Sequence, residues 1–227
     1  MFGKKCRVHI IETYLQSKSV PGHDHAAIGY ALDAGASIVV PQVDTVEQAK
    51  HVVSCAKFGR HHRGTRSVPP ARLMPGLSDI PHDTSRSIWE NLNDQAAIII
   101  QIESLEGINN LDAILTEVGD DIDAVWLGSL DARVSMGLGF SFFEQPSEPE
   151  WLEAMDKYNV TLKKHDKPNS GFGLGPPEVV AKIAESKCIV FIHGDVFSIL
   201  GGMGDLAMAK KWPAHNFSAA NRASKSV

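Results

Sequence analysis

The sequence predicts an α/β protein: a parallel β-sheet covered by helices. Short apolar, β-branched runs alternate with segments of helical period through most of the 227 residues. The stretch AAIIIQIESLEGINNLDAILTEVGDDIDAVWLGSLDARVSMGLG, residues 96–139, is the clearest case. Its two apolar runs, 97–102 and 124–127, flank a helix-like segment and suit a βαβ unit with adjacent parallel strands. A carboxylate follows each run, Glu103 directly after the first and Asp131 just past Gly128 of the second.

Taken in order, residues 7–11 carry the weakest strand signal, and a helix fits 25–34 with Asp24 as a ready N-cap. A strand at 37–40 leads to a helix at 45–57, capped by Asp44 or Thr45, with Val46, Ala49, Val52 and Val53 on one face. Residues 59–81 are Pro- and Arg-rich without period and read as a loop, of a length often tied to function. Helices follow at 84–92, 107–117, 148–164, 177–185 and 196–211, and further strands at 171–173 and 189–193. Pro176-Pro177 suits helix entry, where the missing N–H is no loss. Strand and helix alternating in this way imply either a barrel or an open doubly wound sheet. The strands found fall short of the eight of a full barrel. Residues 1–20 form a divergent N-terminal segment, 21–211 the folded domain, and 212–227 a polar, flexible tail.

Composition narrows the function classes. With 43% hydrophobic and 22% charged residues the chain can build one sizeable core, and a net charge of −5 argues against nucleic acid or an anionic membrane as the main partner. The basic run RHHRGTR at 60–66 reads first as a solvated connection. Cys6, Cys55 and Cys188 are widely spaced, with no CxxC, so neither a disulfide framework nor a zinc ribbon is expected. A reducing, cytoplasmic setting fits. No apolar run approaches the length of a membrane helix, and the N-terminus lacks the apolar core of a secretory signal.

Two acids at the same end of a parallel sheet repel unless a proton or cation sits between them. Glu103 and Asp131 therefore suit a hard divalent ion, Mg²⁺ or Mn²⁺, which takes oxygen ligands and often only one or two carboxylates. A 2-keto acid would fill further positions with its carboxylate and keto oxygens, and the ion would act as a Lewis acid toward an enolate. The plain structural alternative makes Glu103 a helix-entry acid and Asp131 an N-cap. The turn Gly128, Ser129, Leu130 offers backbone N–H groups to a substrate carboxylate. Gln101 shares a strand face with Glu103 and can donate to a substrate oxygen; the alternative is a satisfied core amide. Arg66, in the long loop, is a weak candidate for gripping an anion, against a solvated arginine. His23, His25, His61, His62 and His193 invite no strong assignment. Gly171, Gly173 and Gly175 do not make GxGxxG, and residues 201–204 lack the Lys-Ser/Thr of a P-loop.

Four segments together carry a family resemblance: ALDAGASIVVPQVDTVEQAKHVVSCAKF (31–58), GTRSV (64–68), IIQIESLEGINNLDAIL (99–115) and IDAVWLGSLDARVSMG (122–137). Over residues 21–206 the chain resembles the HpcH/HpaI aldolases, related to the citrate lyase β-subunit. The resemblance implies a (β/α)₈ TIM-type barrel, here incomplete, its first strands missing or replaced. It implies a metal-dependent carbon–carbon lyase that cleaves a 2-keto-hydroxy acid to pyruvate or a related 2-keto acid plus an aldehyde. Glu103 and Asp131 match the family's metal-ligand pair, Gln101 its assisting glutamine, and Gly128, Ser129 and Leu130 its carboxylate-binding turn. A homo-oligomer, by family a hexamer, is implied, and Leu200, Leu206 and Met208 suit a subunit boundary. The chain departs from the pattern at Ser129, where the family has Pro, and at Ala132, where it has Leu. The family's EH pair, with its acid/base histidine, and a strand-end arginine near Ser19 have no match in the chain. Two rival readings follow: a barrel relic that binds metal, ligand or subunits without turnover, and a citryl- or malyl-CoA-type lyase using residues 60–66 for the nucleotide phosphate.

Overall fold

The computed structural model describes residues 15–16, 25–68, 83–139, 146–173 and 175–191, with 199, 201–204 and 206. The strands are β1 (Leu15–Gln16), β2 (Ile38–Val40), β3 (Ile98–Ile102), β4 (Ala124–Leu127), β5 (Asn169–Phe172) and β6 (Ile189–Phe191). The helices are α1 (His25–Asp33), α2 (Val46–Ala56), α3 (Ile88–Gln95), α4 (Leu105–Val118), α5 (Ser129–Ser135), α6 (Pro149–Lys164) and α7 (Pro177–Ala184). All six strands are parallel and follow one another across the sheet in chain order.

That order decides between the two architectures left open by the sequence. A doubly wound sheet reverses its strand order at a switch point so that helices cover both faces. Here there is no reversal among the described strands, and right-handed crossovers in one direction place their helices on one face. The core agrees. Ile38, Val40, Ile98, Ile100, Ile102 and Val125 pack with residues of α1, α2, α4 and α6 in a single cluster. Val39, Ile99, Ala124 and Trp126, at the alternate positions, form a second cluster on the opposite face. Every residue of β3 is buried, which explains why this strand reads as continuous apolar sequence rather than as an alternation. Each such isoleucine contributes about 1.5–3 kcal/mol by leaving water. The result is the winding of a barrel wall, with a helix-covered outer face and an inner face of its own.

Helix starts follow local chemistry. Thr45, not Asp44, caps α2: its hydroxyl accepts from Gln48 N (3.2 Å) while Gln48 Oε1 accepts from Thr45 N (3.1 Å). A second capping box, Ser87 with Glu90, starts α3 four residues later than the periodicity at 84–92 predicts. Ser104 caps α4 by accepting from Gly107 N at 2.9 Å, so this helix begins at Leu105 rather than 107. The short α5 stands where the sequence suggests a turn, and its seven residues carry no side-chain cap. The first strand lies at Leu15–Gln16, and the strand signal at 7–11 falls outside the described residues. Of the helix expected over 196–211, the described residues 199, 201–204 and 206 are helical.

Lys57 anchors the base of the sheet. Its ammonium donates to Asn93 O (2.6 Å) and Ala96 O (3.4 Å), immediately before β3. Asn93 in turn accepts from Phe58 N (2.8 Å) and donates to Phe58 O (3.1 Å), tying the end of α2 to α3.

Candidate functional site

The site forms where β3 and β4 end. Register pairs Gln101 with Trp126 and Ile102 with Leu127, and the ladder runs one step further through Gly128 N to Ile102 O, 2.9 Å. Glu103 therefore arrives opposite Gly128. Asp131, in the first turn of α5, comes within hydrogen-bonding reach of the Glu103 carboxyl. Glu103 is buried while Asp131 is exposed, so the pair has one side toward protein and one toward solvent. Burial raises the Glu103 carboxyl most, the Asp131 charge adds to this, and together they push it up to about 7.

Gly128 is required by this packing. A β-carbon there would lie 2.5 Å from Glu103 Oε1 and 2.6 Å from its Cγ, inside any real contact distance. Absence of a side chain, not an unusual backbone angle, lets the carboxyl lie across the sheet face.

Two residues that sequence reasoning did not place at the site complete its surroundings. Gln42, between β2 and α2, holds a left-handed backbone (φ 55°), and its N–H donates to Glu103 Oε2 at 3.0 Å. A non-glycine residue in that region is strained, and here the strain aims an amide at the acid. This hydrogen bond opposes the upward shift without cancelling it. Asp44 adds negative charge near Glu103, but its carboxyl accepts from Ser104 Oγ, and its carbonyl accepts from Asn110 Nδ2 at 2.8 Å. The segment PQVD carries no pattern marking either residue, because their roles depend on β2 lying beside β3.

Gln101 lies on the inner face, by alternation with Ile99, and is buried. Its Oε1 is buried with no hydrogen-bond partner among the described residues. Leaving such an acceptor unsatisfied costs about 1–3 kcal/mol, so this amide is not the satisfied core group of the plain reading.

Arg66 is a correction. It is neither at the mouth nor solvated: its guanidinium pairs with Asp33 at 2.6 Å, donates to Ala56 O at 3.3 Å and lies 4.7 Å from the Phe58 ring centre. Asp33 and Ala56 are the last residues of α1 and α2, at the end of the sheet where strands begin, opposite Glu103. The guanidinium is committed to closing that end, so it cannot grip a substrate at the acids. The reason is Asp33, invisible from the local sequence around Arg66. His23 and His193 lie outside the described residues.

Among the described residues no three His, Cys, Asp or Glu side chains converge as a metal site. Two carboxylates within reach of each other, one buried and driven toward its neutral form, nonetheless match what a hard divalent ion needs when water and substrate complete its shell.

Comparison with known proteins agrees on the fold and the family. The family HpcH/HpaI aldolase/citrate lyase matches residues 16–166. A 4-hydroxy-2-oxovalerate aldolase of Novosphingobium aromaticivorans is 36% identical over 129 residues, 55% of this chain and 45% of that protein. A 5-keto-4-deoxy-D-glucarate aldolase of Klebsiella pneumoniae is 32% identical over 165 residues, 72% of this chain and 58% of that protein. The chain thus spans about half the length of these curated relatives. Among solved structures, macrophomate synthase superposes with a TM-score of 0.70 at 30% identity, covering 84% of this chain and 64% of that one. An HpcH/HpaI aldolase from Desulfitobacterium hafniense gives 0.67 at 22% identity, covering 86% and 72%, and supports the fold alone.

Proposed function

Since this chain belongs to the HpcH/HpaI aldolase/citrate lyase family, we propose that it is a divalent-metal-dependent aldolase. It cleaves a 2-keto-hydroxy acid to pyruvate, or a related 2-keto acid, plus an aldehyde. The observation that carries the reading is the acid pair: Glu103, buried and pushed up to about 7, with Asp131 in hydrogen-bonding reach.

In this reading Glu103 and Asp131 hold Mg²⁺ or Mn²⁺. The ion, when bound, supplies positive charge that offsets the negative oxygen of an enolate. The chain's own groups do the rest. Gln42 N–H fixes Glu103 Oε2 and so the direction of the carboxyl. Gly128, Ser129 and Leu130 turn backbone N–H groups toward the mouth and orient the substrate carboxylate. Gln101, whose buried Oε1 has no partner among the described residues, stands on the inner face two residues before Glu103 and assists by donating from its amide to a substrate oxygen. Leu206, exposed with Ile199 and Met203, supplies an apolar face for a subunit contact in a homo-oligomer, while Leu200 and Met208 lie outside the described residues.

Proton exchange of the pyruvate methyl group in D₂O, followed by NMR with and without Mn²⁺, tests the reading without knowledge of the aldehyde. Metal-dependent exchange that disappears in Glu103→Gln supports it. No exchange from folded, metal-loaded protein would leave the barrel relic, a binding protein without turnover, as the better account.

A further inference from the structure

We propose that Trp126, Phe172 and Phe191 form the wall of the site that receives the second substrate, and that this wall selects a planar, apolar end, aryl or conjugated, on the aldehyde. The inference rests on the lyase reading above and adds the class of acceptor.

Register places the wall. Trp126 of β4 pairs with Gln101 on one side and Ser170 on the other. Two residues further along each strand come Glu103, Gly128 and the pair Phe172–Phe191. The two phenylalanines therefore end their strands at the level of the acids, with Trp126 about 7 Å further in at the strand rise. Trp126 belongs to the inner-face cluster with Val39, Ile99 and Ala124, while its neighbour Val125 belongs to the helix-side core. The wall thus stands on the same face as Gln101.

The three rings are organised as one surface. Trp126 stacks on Phe191 at 4.6 Å between centres and 21° between planes, and meets Phe172 edge-on at 4.9 Å and 85°. Phe172 closes the triangle with Phe191 at 6.4 Å. Although in contact with both, Phe172 is 45% exposed, so an aromatic ring at the mouth is presented to solvent. A flat apolar ligand gains burial plus ring geometry on such a surface.

A polyhydroxylated acceptor finds little on the described residues of these strands. Among the described residues of β4, β5 and β6, the Ser170 hydroxyl is fully buried and donates to Val125 O at 3.2 Å. The nearby Lys187 ammonium donates to Ser170 O at 3.2 Å. Hydroxyls pressed against the rings would give up water without replacement.

The test is isothermal titration of 4-phenyl-2-oxobutanoate against 2-oxobutanoate, with Mn²⁺ present, in the wild type, Phe172→Ala and Phe172→Leu. The wild type should bind the phenyl compound about tenfold more tightly than the unadorned acid. Phe172→Ala should lose that advantage and keep the affinity for 2-oxobutanoate, and Phe172→Leu, which restores apolar volume without a flat face, should recover only part of it. Equal affinities in the wild type, or an advantage undiminished in Phe172→Ala, would overturn the proposal. The pyruvate exchange assay separates the two readings. Exchange without phenyl preference sinks the wall alone; phenyl preference without exchange leaves the rings as a binding surface but sinks the lyase and, with it, their assignment to a second substrate.

Discussion

At Gly128 only a hydrogen atom fits between the backbone and Glu103. Gly128→Ala puts a β-carbon 2.5 Å from Oε1, and that oxygen belongs to a carboxyl held from the far side by Gln42 N–H. The carboxyl must move, so on the lyase reading proposed above this substitution should abolish metal-dependent pyruvate exchange while costing only about 1–3 kcal/mol of stability, as small overpacking changes do. Urea unfolding beside the exchange assay checks both halves. The raised Glu103 predicts a stability profile of defined sign. Its ordinary value is 4.5 and the folded protein pushes it to about 7, so the fold favours the neutral carboxyl. The stabilisation is complete below pH 4.5 and is lost as pH rises through about 7, on the order of 2 kcal/mol in metal-free protein. Glu103→Gln, permanently neutral, should flatten that part of the profile. A wild-type curve that instead rises between pH 5 and 7 by the same measure would show the acid is not where the geometry places it.

Among the elements, the N-terminus of α4 links fold to site. Ser104 accepts from Gly107 N and donates to the Asp44 carboxyl, so one hydroxyl both starts the helix and turns a third acid away from Glu103. Ser104→Ala should cost about 1–2 kcal/mol, the upper part of the range for a lost cap, and more than Thr45→Ala on α2, whose cap has no such second task. Thermal unfolding of the two variants side by side decides it. At the next connection, Arg133 of α5 donates to Glu148 Oε1 (2.6 Å) and Oε2 (3.0 Å) and to Gly139 O (2.8 Å from Nε), fixing α5 to the start of α6. The guanidinium holds the Glu148 carboxyl down at about 2. Elements such as β3, β4 and α6 were legible in the sequence because burial on both faces or a long amphipathic period is written in consecutive residues. The placement of Glu103 and Asp131 at neighbouring strand ends, with Gln101 further in, was legible by their offset from those strands. Gln42, Asp44 and the α5 helix were not, because what makes them matter is a neighbour far along the chain. Arg66 failed for the same reason: Asp33, its partner, lies a helix and a strand away in sequence.

Taken whole, the described residues form six parallel strands wound in one direction, with a cost concentrated at the ends of two of them. Sequential winding brings β3 and β4 side by side, and that alone forces Glu103 and Asp131 together. Like charges held by a fold are a standing penalty that the rest of the core must offset, and a cation bound between them removes it. Any species that binds the folded state and not the unfolded one stabilises by mass action, about 2.7 kcal/mol at a hundred times its dissociation constant. Mn²⁺ should therefore raise the thermal midpoint at pH 8, where the Glu103 carboxyl has given up its proton, and raise it less at pH 5, where it holds it. Asp131→Asn and Glu103→Gln should each lose the metal-dependent increment, though neither needs to lower the metal-free midpoint. On the lyase reading proposed above, pyruvate should add a further increment in the wild type only when Mn²⁺ is present. An equal Mn²⁺ shift in Asp131→Asn would mean the ion binds elsewhere on a chain of net charge −5, and the paired acids would then be a strained feature of the barrel wall rather than its centre.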